Sequence, residues 1–105
     1  MREDIQKWVE ALESGDYKQT KGTLKRKRKD GKVGYCCLGV YAEVCLNENV
    51  DAVNFESSYP GNLVIYNKID EKVGYRFSTH LTKINDEGQE FKTIAKVIRE
   101  QYDGV

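Results

Sequence analysis

The chain opens on a helical repeat. In REDIQKWVEALESG, residues 2 to 15, the apolar side chains Ile5, Trp8, Val9 and Leu12 fall at i, i+3, i+4 and i+7, and the acidic pair Glu3 and Asp4 stands where a helix N-terminus favours it. Gly15 is the expected stop. The pattern then changes. TLKRKR and KVGYC flank KDGK, and an Asp-Gly pair readily takes the positive φ of a tight turn, so a β-hairpin with a two-residue turn at Asp30 and Gly31 is predicted. Side chains alternate along such a ribbon, with Lys25, Lys27 and Lys29 on one face and Arg26 and Arg28 on the other, so both faces carry exposed charge.

The run CCLGVYAEVCL has Leu38, Tyr41, Ala42 and Cys45 on one helical face and Val40 and Val44 nearly opposite, with Glu43 its only charge. A helix apolar on most sides belongs at the centre of a fold. Beyond it SYPGN reads as a turn, and NLVIYNKI and KVGYRFS, rich in β-branched and aromatic residues, read as a second short strand pair, the first with a short helix as its alternative. Thr79 is a suitable cap for a short helix HLTKIND that Gly88 ends. The closing segment EFKTIAKVIREQY aligns Phe91, Ile94, Ala95, Ile98 and Tyr102 as a last helix. The expected fold class is α+β. One small domain over residues 1–105 holds about four helices around a central apolar helix, with a β-hairpin and room for the second strand pair.

Composition narrows the functional classes. A chain of 105 residues with 39% hydrophobic residues supports one core with little stability to spare, which leaves a homo-oligomer open. No window approaches the roughly 20 apolar residues of a membrane span, and the acidic, amphipathic start lacks a signal peptide's apolar centre, so a cytoplasmic protein with no membrane partner is expected. The formal net charge is zero but unevenly spread: residues 18 to 32 carry eight Lys or Arg against Asp30 alone. Such a patch attracts phosphates or carboxylates through a salt-dependent field.

Three cysteines fit a reducing compartment with free thiols. Cys36, Cys37, Cys45 and His80 lack the short ligand spacings of a structural metal site, Cys37 and Cys45 lying about 12 Å apart along a helix, so no metal or other cofactor is expected. Cys36 and Cys37 sit near a helix N-terminus, which lowers a thiol pKa, and His80 is the only histidine available as a base. A cysteine-dependent enzyme is therefore one alternative, against a bland reading of the cysteines as small core residues. INDEGQEFKTIAKVI has the look of the first part of a helix-turn-helix, but no recognition helix follows it before Val105; a terminal helical hairpin packed on the first helix accounts for it better. Ser14, Tyr17, Gln19, Asn85 and Asp86 stand at helix ends and turns, where side chains either cap backbone groups or converge on a ligand.

Three blocks carry a family likeness: W-x2-AL-x-SG-x-Y from Trp8 to Tyr17, YCCLGV from Tyr35 to Val40, and ND-x-G-x2-F-x2-IA-x2-I from Asn85 to Ile98. In these the chain resembles a family of small uncharacterised proteins of tailed bacteriophages and related prophages. The resemblance implies an origin, with the cytoplasm of the infected bacterial host as the place of action, and brings no activity with it. The basic hairpin tip and the strand-like residues 62 to 78 depart from the shared pattern. Together with the charge pattern it suggests a non-enzymatic accessory protein that binds stoichiometrically to an anionic partner, a host or anti-phage defence component or a nucleotide-like, phosphate-bearing signal. The expected contacts are Lys25, Arg26, Lys27, Arg28, Lys29, Tyr17, Asn85 and Asp86 on the ribbon and an adjoining polar pocket. A nucleic-acid-binding accessory factor is the alternative that uses the same cations on phosphates.

Overall fold

The first helix forms as its period dictates. A computed structural model describes residues 2–27, 29–46 and 63–103, and in it α1 runs Glu3–Ser14 with Ile5, Trp8, Val9 and Leu12 buried. Gly15 ends the helix in the left-handed conformation at φ +82°, a geometry that costs glycine little. The indole N–H of Trp8, fully buried, donates to the Cys37 carbonyl at 2.8 Å, and its ring meets Tyr41 edge-on at 5.0 Å. The large aromatic thus enters the core with its one polar atom satisfied.

Three short strands follow: β1 (Lys18–Gln19), β2 (Lys25–Lys27) and β3 (Val33–Tyr35), in the order β1-β3-β2. β3 pairs antiparallel with β2 and parallel with β1. The hairpin is as expected, but its register is not. Lys25 opposes Tyr35, Arg26 opposes Gly34 and Lys27 opposes Val33, which centres the connection on Asp30 instead of between Asp30 and Gly31. An odd-membered turn with a glycine in the left-handed region replaces the two-residue one: Gly31 has φ +84°, and Asp30 Oδ1 accepts from the Lys32 amide at 3.0 Å.

α2 (Cys37–Tyr41) continues through a π-helical turn at Ala42–Leu46. Every residue of α2 is buried, so the apolar run is the central element its composition demands. Both segments read as a second strand pair are helical, the first in line with its helical alternative and the second against expectation: α3 spans Leu63–Val73 and α4 spans Tyr75–Asp86. The physical reason is the spacing of apolar residues. Ile65, Ile69 and Val73 recur every four positions and face the core together, as do Leu81 and its neighbours Phe77 and Ile84 on α4. Packing along that stripe outweighs the β-preference of branched side chains, which is weak and context-dependent. Thr79 is consequently an exposed mid-helix residue; the break falls at Gly74, φ +96°. The expected turn at residues 58–62 lies outside the described residues.

Gly88, also at φ +96°, separates α4 from α5 (Phe91–Asp103). α5 lies along α1, with Ile94, Ala95 and Ile98 buried and an Arg99–Glu13 ion pair at 2.6 Å on the rim, the terminal packing the sequence pointed to. The fold is α+β, with helices packed around α2 and a small sheet at one side. No helix among the described residues is long and apolar enough to cross a membrane.

Candidate functional site

Of the polar residues at the helix ends, Gln19, Asn85 and Asp86 converge, but upon one another. Asn85, completely buried in the last turn of α4, accepts at Oδ1 from Gln19 Nε2 (2.9 Å) and from the Cys37 amide (3.2 Å). Its Nδ2 donates to the Thr20 carbonyl (2.8 Å) and to Asp86 Oδ1 (3.3 Å). Two acceptor and two donor positions are an asparagine amide's full capacity, so Asn85 has none left for a ligand. Asp86 Oδ1 also accepts from the Gly22 amide at 3.0 Å, and Gln19 Nε2 donates to the Gln89 carbonyl at 2.6 Å. This cluster ties the β1–β2 connection to the start of α2 and the end of α4. Ser14 caps its own helix end, its hydroxyl donating to the Ala11 carbonyl at 2.6 Å.

On this base stands the cationic ribbon, whose exposure rises along β2 in a way alternation alone does not give. Lys25 is largely covered: its side chain is 13% exposed, its ammonium lies 3.8 Å from Glu43 Oε2 and 5.5 Å over the Tyr35 ring. Tyr17 packs edge-on against the same ring at 5.2 Å. Burial raises the pKa of both phenols, so Tyr17 and Tyr35 remain neutral donors. Arg26 is half-buried, with Nη2 3.5 Å from the Lys21 carbonyl and Nε buried without a hydrogen-bond partner among the described residues. Lys27 and Lys29 are exposed; Arg28 lies outside the described residues. The expectation of exposed charge on both faces is corrected here: exposure changes along β2, since Tyr35 and Glu43 cover Lys25 at its base and Arg26 on the opposite face is half-buried, while Lys27, on the same face as Lys25, is exposed.

The thiols have the opposite of nucleophile chemistry. Cys36 caps α2, with Sγ accepting from the Gly39 amide at 3.4 Å, and burial pushes its pKa up to about 11. Burial also drives the Cys37 thiol pKa well up, and the thiol donates to the Leu81 carbonyl at 3.6 Å. Cys45 is raised to about 11, again chiefly by burial, and donates to the Asp4 carbonyl at 3.2 Å. Desolvation overwhelms the helix N-terminus, since the thiolate would sit in an apolar interior. His80 is exposed on α4, in a shallow depression with Arg76, Phe77 and Glu100 that includes no cysteine. Among the described residues no three His, Cys, Asp or Glu side chains gather as metal ligands.

A cavity lies elsewhere among the described residues, between α3 and α4, where the sequence pattern predicts strands. It holds about 680 Å³, within the range of small-molecule sites. Leu38 and Tyr66 give it apolar wall; Asn67 and Asp70 line it from α3, and Ser78, Thr82 and Lys83 from α4. Ser78, 3% exposed, donates its hydroxyl proton to Asp70 Oδ1, while Thr82 Oγ1 donates to the Ser78 carbonyl at 3.0 Å. Burial raises the Tyr66 phenol pKa, keeping it neutral. Tyr75 borders the cavity at 70% exposure, and is the exposed large hydrophobic residue among those described. The signal for this site was present as the helical spacing of Tyr75, Ser78 and Thr82, which the aromatic and β-branched composition masked. Gly22 is shared: it borders the cavity, and the Arg26 guanidinium lies 4.0 Å from where a Gly22 Cβ would stand.

No curated protein and no solved structure matches the chain significantly. A sequence family described as a domain of unknown function matches residues 1–73, from α1 to the end of α3, leaving α4 and α5 beyond the match. With well over half its length covered, the chain belongs to that domain family, DUF8296.

Proposed function

We propose that the protein acts by stoichiometric binding, presenting a cationic ribbon to an anionic partner. The observation that carries this reading is the state of the exposed cations. Lys27, Lys29 and Lys32 are exposed, and among the described residues none forms an ion pair, whereas Lys25 is spent on Glu43 and Arg99 on Glu13. The Asn85 and Asp86 hydrogen bonds hold the base of the ribbon to the core, so little conformational entropy is lost when the charges meet a partner. Raised thiol pKa values speak for binding over cysteine chemistry. With the bacteriophage resemblance of its three sequence blocks, the protein is read as an accessory factor that occupies a host or anti-phage defence component in the host cytoplasm.

The test is affinity capture from host extract at low and physiological salt, using the wild type and a Lys27→Ser/Lys29→Ser variant, with captured proteins identified and their stoichiometry measured. An acidic protein retained at fixed stoichiometry by the wild type, released by salt and lost by the folded variant, supports the reading. Equal capture by the variant would remove the ribbon from the interface. A mobility shift with duplex DNA and with RNA runs beside it: tight binding that weakens steeply with salt would make nucleic acid the partner instead.

A further inference from the structure

We propose that the cavity between α3 and α4 is a binding site for a small ring bearing vicinal hydroxyls, the chemistry shared by pyranose sugars and the ribose of nucleosides. Three features of its lining converge on that class. The first is Asp70. A carboxylate is an acceptor with room for about four hydrogen bonds, and the buried Ser78 hydroxyl occupies one on Oδ1 while fixing the group's orientation. The remaining lone pairs suit two neighbouring hydroxyl donors, which a carboxylate engages as a pair.

The second is Tyr75. An aromatic ring at 70% exposure is out of place on a surface whose other described large apolar residues are covered, and it lines this cavity. A flat aromatic face supplies area for a sugar ring or a base at low entropic cost, since only two torsions are fixed. The third is the density of short polar groups. Asn67, Thr79 and Thr82 line the same volume with amide and hydroxyl groups, and Lys83 adds a donor, while Leu38 and Tyr66 supply apolar wall. Ligands that are apolar on ring faces and polar at ring edges match such a mixture; a purely apolar ligand would leave Asp70 and Lys83 desolvated and unpaired.

The site uses none of the exposed ribbon cations, so it stands independently of the ribbon's role. The experiment is titration calorimetry and ligand-observed NMR on the full chain with adenosine, guanosine, methyl glucoside, methyl galactoside and N-acetylglucosamine as probes. At least one ring diol should bind. If a nucleoside binds, its 2′-deoxy analogue should bind about tenfold more weakly, as loss of a hydrogen bond to a charged group implies; if a glycoside binds, the corresponding deoxy sugar should lose as much. Asp70→Asn should weaken the ligand about tenfold or more, and Tyr75→Ala by a similar factor through lost stacking. Tyr75 is exposed enough that its replacement leaves the fold intact even should Asp70→Asn unfold. The Lys27→Ser/Lys29→Ser protein should bind the probe like the wild type. Failure of every ring diol at millimolar concentration, equal affinity for the deoxy analogue, or binding unmoved by Tyr75→Ala each overturns the assignment.

Discussion

Gly39 of α2 lies so close under Leu24 that a Cβ at position 39 would stand 1.8 Å from the Leu24 carbonyl oxygen. The contact is with backbone, and backbone does not swing aside. Leu24 is fully buried, its carbonyl accepts from the Cys36 amide at 3.1 Å, and the approach is what seats the segment before β2 on the start of α2. Gly39→Ala should therefore destabilise by about 3 kcal/mol or more, above the usual range for one added methyl, because neither element can retreat without breaking the sheet or the core. Denaturant titration checks this. A melting point within a few degrees of wild type would mean that the two segments are not held in contact.

Asn85 is the second point of dependence. Asn85→Ala leaves the Cys37 amide and the Thr20 carbonyl without their partners beside a new cavity, a loss of about 3 kcal/mol on the scale of unsatisfied buried groups. Gln19→Ala, at a half-exposed position where water replaces the amide, should cost about 1 kcal/mol or less. Hydrogen exchange offers a local readout. The amides of Gly22 and Cys37 should lose protection in Asn85→Ala far more than amides in the α1–α5 packing.

These two residues also mark how far the sequence was readable. Helices α1 and α5 were legible because the residues that bury, Ile5, Trp8, Val9 and Leu12 and then Phe91, Ile94, Ala95 and Ile98, follow the helical period with polar residues between them. In α3 the same period runs through Ile65, Ile69 and Val73, but branched and aromatic neighbours give a local β signal that only tertiary packing overrules. The cavity went with the misread helices, since Asp70 and Ser78 meet only when both are helical and adjacent. For Gln19, Asn85 and Asp86 position at helix ends and turns leaves capping and convergence both open; that their hydrogen-bonding capacity is turned toward one another follows from burial, which spacing does not report. Nor does alternation along β2 reveal that Tyr35 and Glu43 cover Lys25.

The thiols give a pH dependence with a definite sign. Burial lifts Cys36 from an ordinary 9.0 to about 11. Below the lower value both folded and unfolded thiols are protonated and stability is unaffected. As pH rises from 9 to 11 the unfolded thiol ionises while the folded one resists, so stability is lost, by roughly 2 to 3 kcal/mol at 1.4 kcal/mol per pH unit. Urea titrations across that window should show the wild type losing more than Cys36→Ala, in which this contribution is absent. At neutral pH a thiol-reactive probe should label native Cys36 and Cys37 at least a hundredfold more slowly than the denatured chain. Fast native labelling would restore the cysteine-dependent alternative.

Lys25 and Lys27 are two residues apart in one strand and should behave as different kinds of lysine. Lys27→Ser removes an exposed charge without an ion pair among the described residues and should leave stability within about 0.5 kcal/mol, or raise it slightly by relieving repulsion among the ribbon cations. Lys25→Ser also strips the aliphatic stem from the Tyr35 ring and leaves Glu43, whose Oε2 is buried without a hydrogen bond, facing no cation. A partly buried pair lies between the surface and interior limits, so a loss of about 1 to 2 kcal/mol is expected. The cause separates in a double-mutant cycle: Glu43→Gln should recover about half of the loss when combined with Lys25→Ser, because the orphaned charge goes while the lost packing remains. Additive effects of the two substitutions would mean that the 3.8 Å approach contributes no coupling and that Lys25 stabilises through packing on Tyr35 alone. Equal effects of Lys25→Ser and Lys27→Ser would place both side chains in solvent and mean that the base of β2 is no more covered than its tip.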